Sequence, residues 1–252
     1  MSAFGLAAEP AWKEGIDPAA PGTHAAMRPI EADYRLSWKG MIDAGSIQFV
    51  FGETHQRTTF SARAKGGSRG MAAKLFPFQF EYRTLIDPRT LQPKRFDGWE
   101  TDKKDTTELC TRWSGEEIEA REVIHPHGMD RVFHREHQFE FEPVLDVFSA
   151  MLHVRSQPLE QGERHRFVIY PQSSAYLVET VVTGREDKFG KPAIRMELDM
   201  RRIGEGMKLE PYKKLRQATF WLADDRDRLL LELRAKVFIG DVRMSLTGAR
   251  PR

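Results

Sequence analysis

The segment Gly66-Gly67-Ser68-Arg69-Gly70 has the G-x-S-x-G form which, on a strained strand-to-helix turn, presents a serine oxygen to an acyl substrate. That chemistry also needs an acid and a histidine delivered by an alternating β-α scaffold. The flanking residues read instead as a flexible glycine-rich lead into a short helix. Four of the eight histidines, His125, His127, His134 and His137, fall within thirteen positions. His125 and His127 share a strand face, a spacing suited to two imidazoles on a zinc or copper ion. His134 and His137 would share a face only in a helix, whereas Val132, Phe133, Phe139 and Phe141 mark a strand, so the expectation is a solvated hairpin and no metal.

Carboxylate pairs are similarly uninformative. Glu116-Glu117 and Asp224-Asp225 sit at turns, where acids are favoured by solvation and local hydrogen bonds. Glu140 and Glu142 share a strand face, a geometry for general acid/base work, but nothing nearby supplies the apolar environment that would separate their pKa values. No phosphate-binding P-loop is present, and Gly204-Glu205-Gly206 lacks the third glycine of a dinucleotide site. Cys110, the single cysteine, lies in a strand-like run as a structural thiol and permits no internal disulfide. No catalytic residue, metal or cofactor is expected.

One region stands out by charge. Residues 188–216 hold nine basic side chains, Lys188, Lys191, Arg195, Arg201, Arg202, Lys208, Lys213, Lys214 and Arg216, against four acids. Such a run would attract an anionic envelope surface. With aromatic rings only at Phe189 and Tyr212, it is poorly equipped to stack bases, so nucleic acid is not an expected partner. The whole chain is balanced, 39 Lys+Arg against 37 Asp+Glu over 252 residues. A hydrophobic fraction of 40% excludes wholesale disorder, and a mean hydropathy of -0.54 excludes a helical membrane bundle.

The elements that must position these residues follow period two. Tyr34, Leu36 and Trp38 alternate with polar neighbours, Ile47, Phe49 and Phe51 follow the turn Gly40 to Gly45, and the pattern continues through 78–82, 91–99, 105–113, 117–124, 131–141, 164–170, 175–184, 193–202, 216–223, 228–238 and 241–248. Two segments read as helical: Ser68 to Phe76, stopped by Pro77, and Pro143 to His153, whose Val144, Val147, Phe148, Met151 and Leu152 make a wide apolar face. Asp146 and Arg155 flank the second of these and complement its dipole, a structural role. So few helices cannot cover both faces of a parallel sheet. The expected fold is all-β with minor α: a large curved antiparallel sheet forming an open or half barrel, with one or two helices in its concave face. Residues 1–28, which include the signal-like stretch Ala3 to Ala8, are expected to be a poorly ordered extension, and residues 29–250 a single β-rich domain.

Certain residues also carry a family likeness. Tyr34-x-Leu36-x-Trp38-x-Gly40 with Ala44-Gly45, Phe76-Pro77-Phe78, Tyr82 with Asp87, Asp146-Val147-Phe148-Ser149-Ala150 with Arg155, Gly184-x-Glu186, Trp221-Leu222-Ala223-x-Asp225 and Gly240-x-Val242 resemble the exported bacterial family called domain of unknown function 3108. The resemblance runs from about residue 30 to 248. It implies a periplasmic or cell-envelope protein of Gram-negative type, with a half barrel similar in shape to envelope lipoprotein carriers, and it brings no catalytic residues.

Within that frame the expected function is non-enzymatic binding of a lipid, acyl chain or other hydrophobic ligand. Trp38, Phe49, Phe51, Phe78, Phe80 and Tyr82 would line the hollow, with Phe148, Met151 and Leu152 as its lid. The alternatives are an envelope scaffold without a small ligand and, less favoured, a hydrolase acting through Ser68 or Glu140 and Glu142.

Overall fold

A computed structural model describes residues 10–53, 59–212, 215–237 and 240–252. The N-terminal strands are β1 (Ile30–Trp38), β2 (Ile42–Glu53), β3 (Phe60–Ser68), β4 (Gln79–Ile86), β5 (Pro93–Thr101), β6 (Asp105–Ser114), β7 (Glu117–Pro126) and β8 (Phe133–Glu140). The short helix α1 (Gly70–Leu75) joins β3 to β4. After the two-residue strand β9 (Val144–Leu145) comes α2 (Val147–Ser156), and then β10 (Arg164–Ile169), β11 (Ala175–Lys188), β12 (Lys191–Ile203), β13 (Leu209–Pro211), β14 (Leu215–Ala223), β15 (Leu230–Val237) and β16 (Gly240–Pro251). All sixteen strands form one sheet, in the order β8-β7-β6-β5-β4-β3-β2-β1-β16-β15-β14-β12-β11-β10-β9, with β13 pairing off the path with β12. Two antiparallel meanders are thus joined at the centre by β1 and β16, which pair along their whole lengths.

The sheet does not close, yet its edges β8 and β9 are consecutive in the chain, so it curls until the inner face of β7 and β8 overlaps the outer face of β10 to β12, the face opposite the one that Phe167 and Val178 turn toward α2. Ile118 and Ala120 of β7 share a buried cluster with Val168 of β10, Leu177 of β11 and Ile203 of β12, and Phe139 of β8 stacks on Tyr170 at 5.8 Å. Between β2, β3 and β4 the backbones approach closely enough to require glycine. A Cβ on Gly66 would lie 2.4 Å from the Ser46 carbonyl oxygen, and one on Gly67 would lie 2.6 Å from that of Phe78. The Gly66-Gly67 pair therefore serves the close approach of neighbouring strands.

Helix α2 lies inside the curl, as its apolar face predicts. The carboxylate of Asp146 accepts from Ser149 N–H at 2.6 Å, the N-cap bond, and from the Thr84 hydroxyl of β4. Burial pushes the Asp146 pKa up, against the pull of these donors. At the other end, Arg155 donates to the carbonyls of Asp227 and Arg226, and Arg228 donates to those of Arg155 and Gln157. The structural roles expected of Asp146 and Arg155 are both realised, although Arg155 serves the 224–228 turn more than the helix dipole; burial lowers its pKa to about 10. Val144 and Leu145 form β9 instead of the first turn of the helix, and α1 is a six-residue piece at the rim, with none of its residues buried. Only α2 occupies the concave face.

The expectation of a poorly ordered extension up to residue 28 is corrected over residues 10–28. This strap, which begins with a 3-10 turn at Ala11–Lys13, packs Trp12 on Phe141 with ring centroids 5.5 Å apart. It bonds Trp12 Nε1 to the Met207 carbonyl and Gly22 N–H to Ser156 Oγ. Alternating polar and small residues gave no periodic signal because the strap is held by hydrogen bonds and isolated anchors. Its central anchor is the Asp17 carboxylate, 3.4 Å from His153 Nε2 and 3.2 Å from His165 Nδ1, both rings buried. Burial alone would raise the Asp17 pKa, but the two imidazoles overcome it and hold the value at about 2.

Two outcomes are expected. Asp146→Ala, which removes a cap and leaves the Thr84 hydroxyl buried without its acceptor, should cost about 2–4 kcal/mol in urea unfolding. Because the pKa of Asp17 is depressed on folding, the stabilisation it provides is complete above about pH 4 and is lost as pH falls toward 2. Thermal melts of wild type and Asp17→Asn should therefore differ at pH 5 and converge at the acid end.

Candidate functional site

The hollow is built around Phe148 at the start of α2. Its ring lies 6.2 Å from Phe49, 6.3 Å from Phe51 and 6.4 Å from Phe96, with the first two contacts edge-on. From Phe96 the aromatic contacts continue along one arm to Tyr82 at 5.4 Å, Phe80 at 4.7 Å from Tyr82, and Phe78 at 5.8 Å from Phe80. Leu152 and Met151 of α2 join the same cluster. Seven of the nine expected lining residues are thus brought together. Phe78 is 38% exposed at the outer end of the series. Among the described residues Trp38 joins no aromatic pair or buried cluster; it ends β1 beside Gly240, whose close approach leaves room for the indole.

Burial of the inward-facing residues is not uniform along the strands. Along β1, Ile30, Ala32 and Tyr34 are buried, and Leu36 and Trp38 are partly exposed. Along β2, Phe51 and Phe49 give way to a half-buried Ile47; along β4, Ile86 and Thr84 give way to Tyr82 and Phe80; along β12, Ile194 and Met196 give way to Leu198 and Met200. The register places the less buried residues of β1, β2 and β4 at one end of the arm, where the turns 39–41, 69–78 and 102–104 lie. That end is the mouth.

Polar groups collect near the mouth. Tyr82 Oη donates to Glu100 Oε2 at 2.5 Å, and Gln172, reaching over from the opposite arm, donates to the same oxygen at 2.9 Å. Burial, and after it the Glu100 charge, pushes the Tyr82 pKa well above the usual phenol range. On the inner face of β7, Glu122 is buried with His137 at 3.8 Å and Arg135 at 3.9 Å. Sequence reasoning did not single out Glu100, Glu122 or Gln172. Alternation on β5 and β7 places both acids on the inner face, and that signal was available; the approach of Gln172 is tertiary.

The remaining expectations resolve individually. Ser68 Oγ accepts from Phe78 N–H at 2.9 Å, pinning the α1 connection, with no histidine or acid among its described partners. His125 lies near Glu108 on the outer face, where His134 also stands opposite Val123, and His137 lies near Glu122 on the inner face, so the strand pleat divides the second pair of the histidine cluster. Among the described residues no group of metal-binding side chains assembles. Glu140 ends the exposed edge strand β8, and Glu142 precedes Pro143 beyond it. The Cys110 thiol is made less acidic by burial and then by Asp97.

Of the six basic side chains described in the run 188–216, four are paired with acids. Lys188 pairs with the buried Glu232 beneath Trp221, and Arg195, Arg201 and Arg202 pair with Glu197, Glu179 and Glu210. Lys213 and Lys214, and the side chain of Arg216, lie outside the described residues.

Comparison with known proteins bears on this geometry. The model of the family described as "Protein of unknown function (DUF3108)" matches residues 33–247, which spans all the strands named above from β1 to most of β16. The chain belongs to the DUF3108 family. No curated protein matches it. Among solved structures, it is similar to a beta-barrel-like protein of domain of unknown function DUF1849 from Brucella abortus. That likeness has a TM-score of 0.57 and 10% identity, covers 90% of this chain and 99% of the other, and shows a shared fold. For this DUF3108 chain, Phe148→Ala should cost about 3–5 kcal/mol in denaturant unfolding, because the ring is the shared contact of β2, β5 and α2.

Proposed function

We propose that this protein works by binding rather than by catalysis, and that it takes an acyl chain or another elongated apolar group into the less buried end of the hollow. The observation that carries this reading is the fall in burial along β1, β2, β4 and β12 toward the mouth. Leu36, Ile47, Phe80 and the ring of Tyr82 are inward-facing apolar surfaces without the full cover their neighbours have. Covering such surface is favourable by about 25 cal/mol per Å². The Tyr82, Glu100 and Gln172 group stands where the polar end of a bound amphiphile would emerge. We place this activity in the periplasm or cell envelope, the location that the resemblance of its sequence motifs implies. A scaffold acting through the unpaired edge of β8 is less favoured, since Arg135, Glu136 and Glu140 give that edge the charges that discourage strand addition.

Protein purified without detergent and titrated with a fluorescent fatty acid should show saturable uptake. Native mass spectrometry of the same sample should give a one-to-one adduct. Ile47→Asp and Phe80→Asp, each placing a charge on the uncovered surface, should weaken uptake at least tenfold while circular dichroism stays unchanged. Absence of any uptake by the wild type would sink the reading.

A further inference from the structure

The mouth carries a second feature that ligand binding leaves unused. Two adjoining segments on its rim present large apolar side chains to solvent: Met41 at 81% and Ile42 in the β1–β2 turn, and Met71, Leu75 and Phe76 in α1 and its C-terminal cap. They are neighbours in space. Arg69 N–H bonds the Ala44 carbonyl at 3.0 Å, and α1 packs against β2. Farther round the same end of the arm, the β7–β8 turn adds exposed Met129 and Val132. Other exposed large apolar side chains, such as Phe189 in the β11–β12 turn and Val147 at the start of α2, stand singly, whereas a clustered apolar rim marks an interaction surface.

The charges beside the patch indicate what covers it. Segments 39–43 and 69–78 contain Lys39, Arg69 and Lys74 against one acid, Asp43, in a chain whose overall charge is nearly balanced. The guanidinium of Arg243 also lies directly against Gly40 of the first segment. Apolar side chains projecting from two loops at one end of a rigid sheet, flanked by basic groups, have the composition of a surface that seats in a lipid interface. The apolar tips enter the headgroup–acyl boundary and the cations meet acidic headgroups. Methionine and leucine suit such a contact because they adapt to an irregular surface.

We infer that this rim docks the protein, mouth first, onto an anionic phospholipid surface. The contact is peripheral and reversible, since a six-residue helix and a tight turn reach only the interface. The inference goes beyond the apolar-ligand reading and does not depend on it: the docking residues are exposed side chains of the rim, and the ligand residues face inward.

The test is co-sedimentation with vesicles of phosphatidylglycerol and phosphatidylcholine, compared with phosphatidylcholine alone, at low and high salt. The wild type should partition onto the anionic vesicles at least tenfold more strongly than onto the zwitterionic ones, and added salt should reduce this preference. Met71→Glu combined with Leu75→Glu should abolish the partitioning. Lys39→Glu combined with Lys74→Glu should remove the preference for anionic lipid. Because these side chains are exposed, the variants should keep the wild-type melting temperature, which separates loss of docking from loss of fold. Equal binding to both vesicle types, no binding to either, or unchanged binding by the Met71 and Leu75 variant would each overturn the inference. So would a concentration-dependent dimer, seen by analytical ultracentrifugation, that the same variant dissolves, since the rim would then be covered by a second copy. Vesicle binding without fatty-acid uptake would leave docking intact and refute the ligand reading; uptake without vesicle binding would do the reverse.

Discussion

A sheet of this width that never closes can cover only part of its concave face with its own edge, and the body that fills the space between its arms is α2. Nearly every residue of the helix is buried, with Phe148 and Leu152 toward the first arm and Ala150 and Val154 toward the second. Asp146 fixes the helix to β4 at one end, and Arg155 with Arg228 fixes it to the 224–228 turn of the opposite arm at the other. The helix therefore acts as a spacer that sets the distance between the arms. The strap over its C-terminal half, held through Asp17 and the helix's own His153, then seals the seam that the sheet leaves open.

This arrangement divides the interior into two environments. Where α2 packs, aromatic and aliphatic side chains interlock as in any core, and a methylene more or less would be felt. Beyond its N-terminus the same inward-facing series continues without a partner element. One continuous alternation of side chains thus passes from structural to available surface without any change in residue type, which is why the division is a property of the helix's length and placement.

That also explains what was legible in the sequence. Period-two alternation across the strands located the sheet, and Phe148, Met151 and Leu152 located the helix that enters it, because these signals depend on which face of an element is apolar. Phe78 and Trp38 read the same as their buried neighbours, since alternation reports the face of a strand and not the level along it. The glycine-rich lead into α1 was legible only as glycine-rich: Gly66 and Gly67 are demanded by backbone approach between β2, β3 and β4, a tertiary requirement with no local signature. The strap was illegible because its anchors, Trp12, Asp17 and Gly22, are separated by residues with no shared face. The histidine cluster was legible as a cluster, but the pleat sorts its members onto opposite sides.

The pairing of β1 with β16 has a consequence for how the molecule is made. Within each arm, neighbouring strands are mostly neighbours in sequence, so both meanders can assemble through local hairpins, the quick route for β-structure. Their union requires residues 30–38 to find residues 242–251, a closure spanning most of the chain. Until β16 arrives, β1 is a bare edge at what will be the middle of the sheet, carrying Ile30, Tyr34 and Leu36 with unpaired backbone on one side. A chain emerging residue by residue therefore passes through a stage in which its most central strand is its most adhesive one, a hazard that a holding chaperone, or rapid synthesis of the final segment, would relieve.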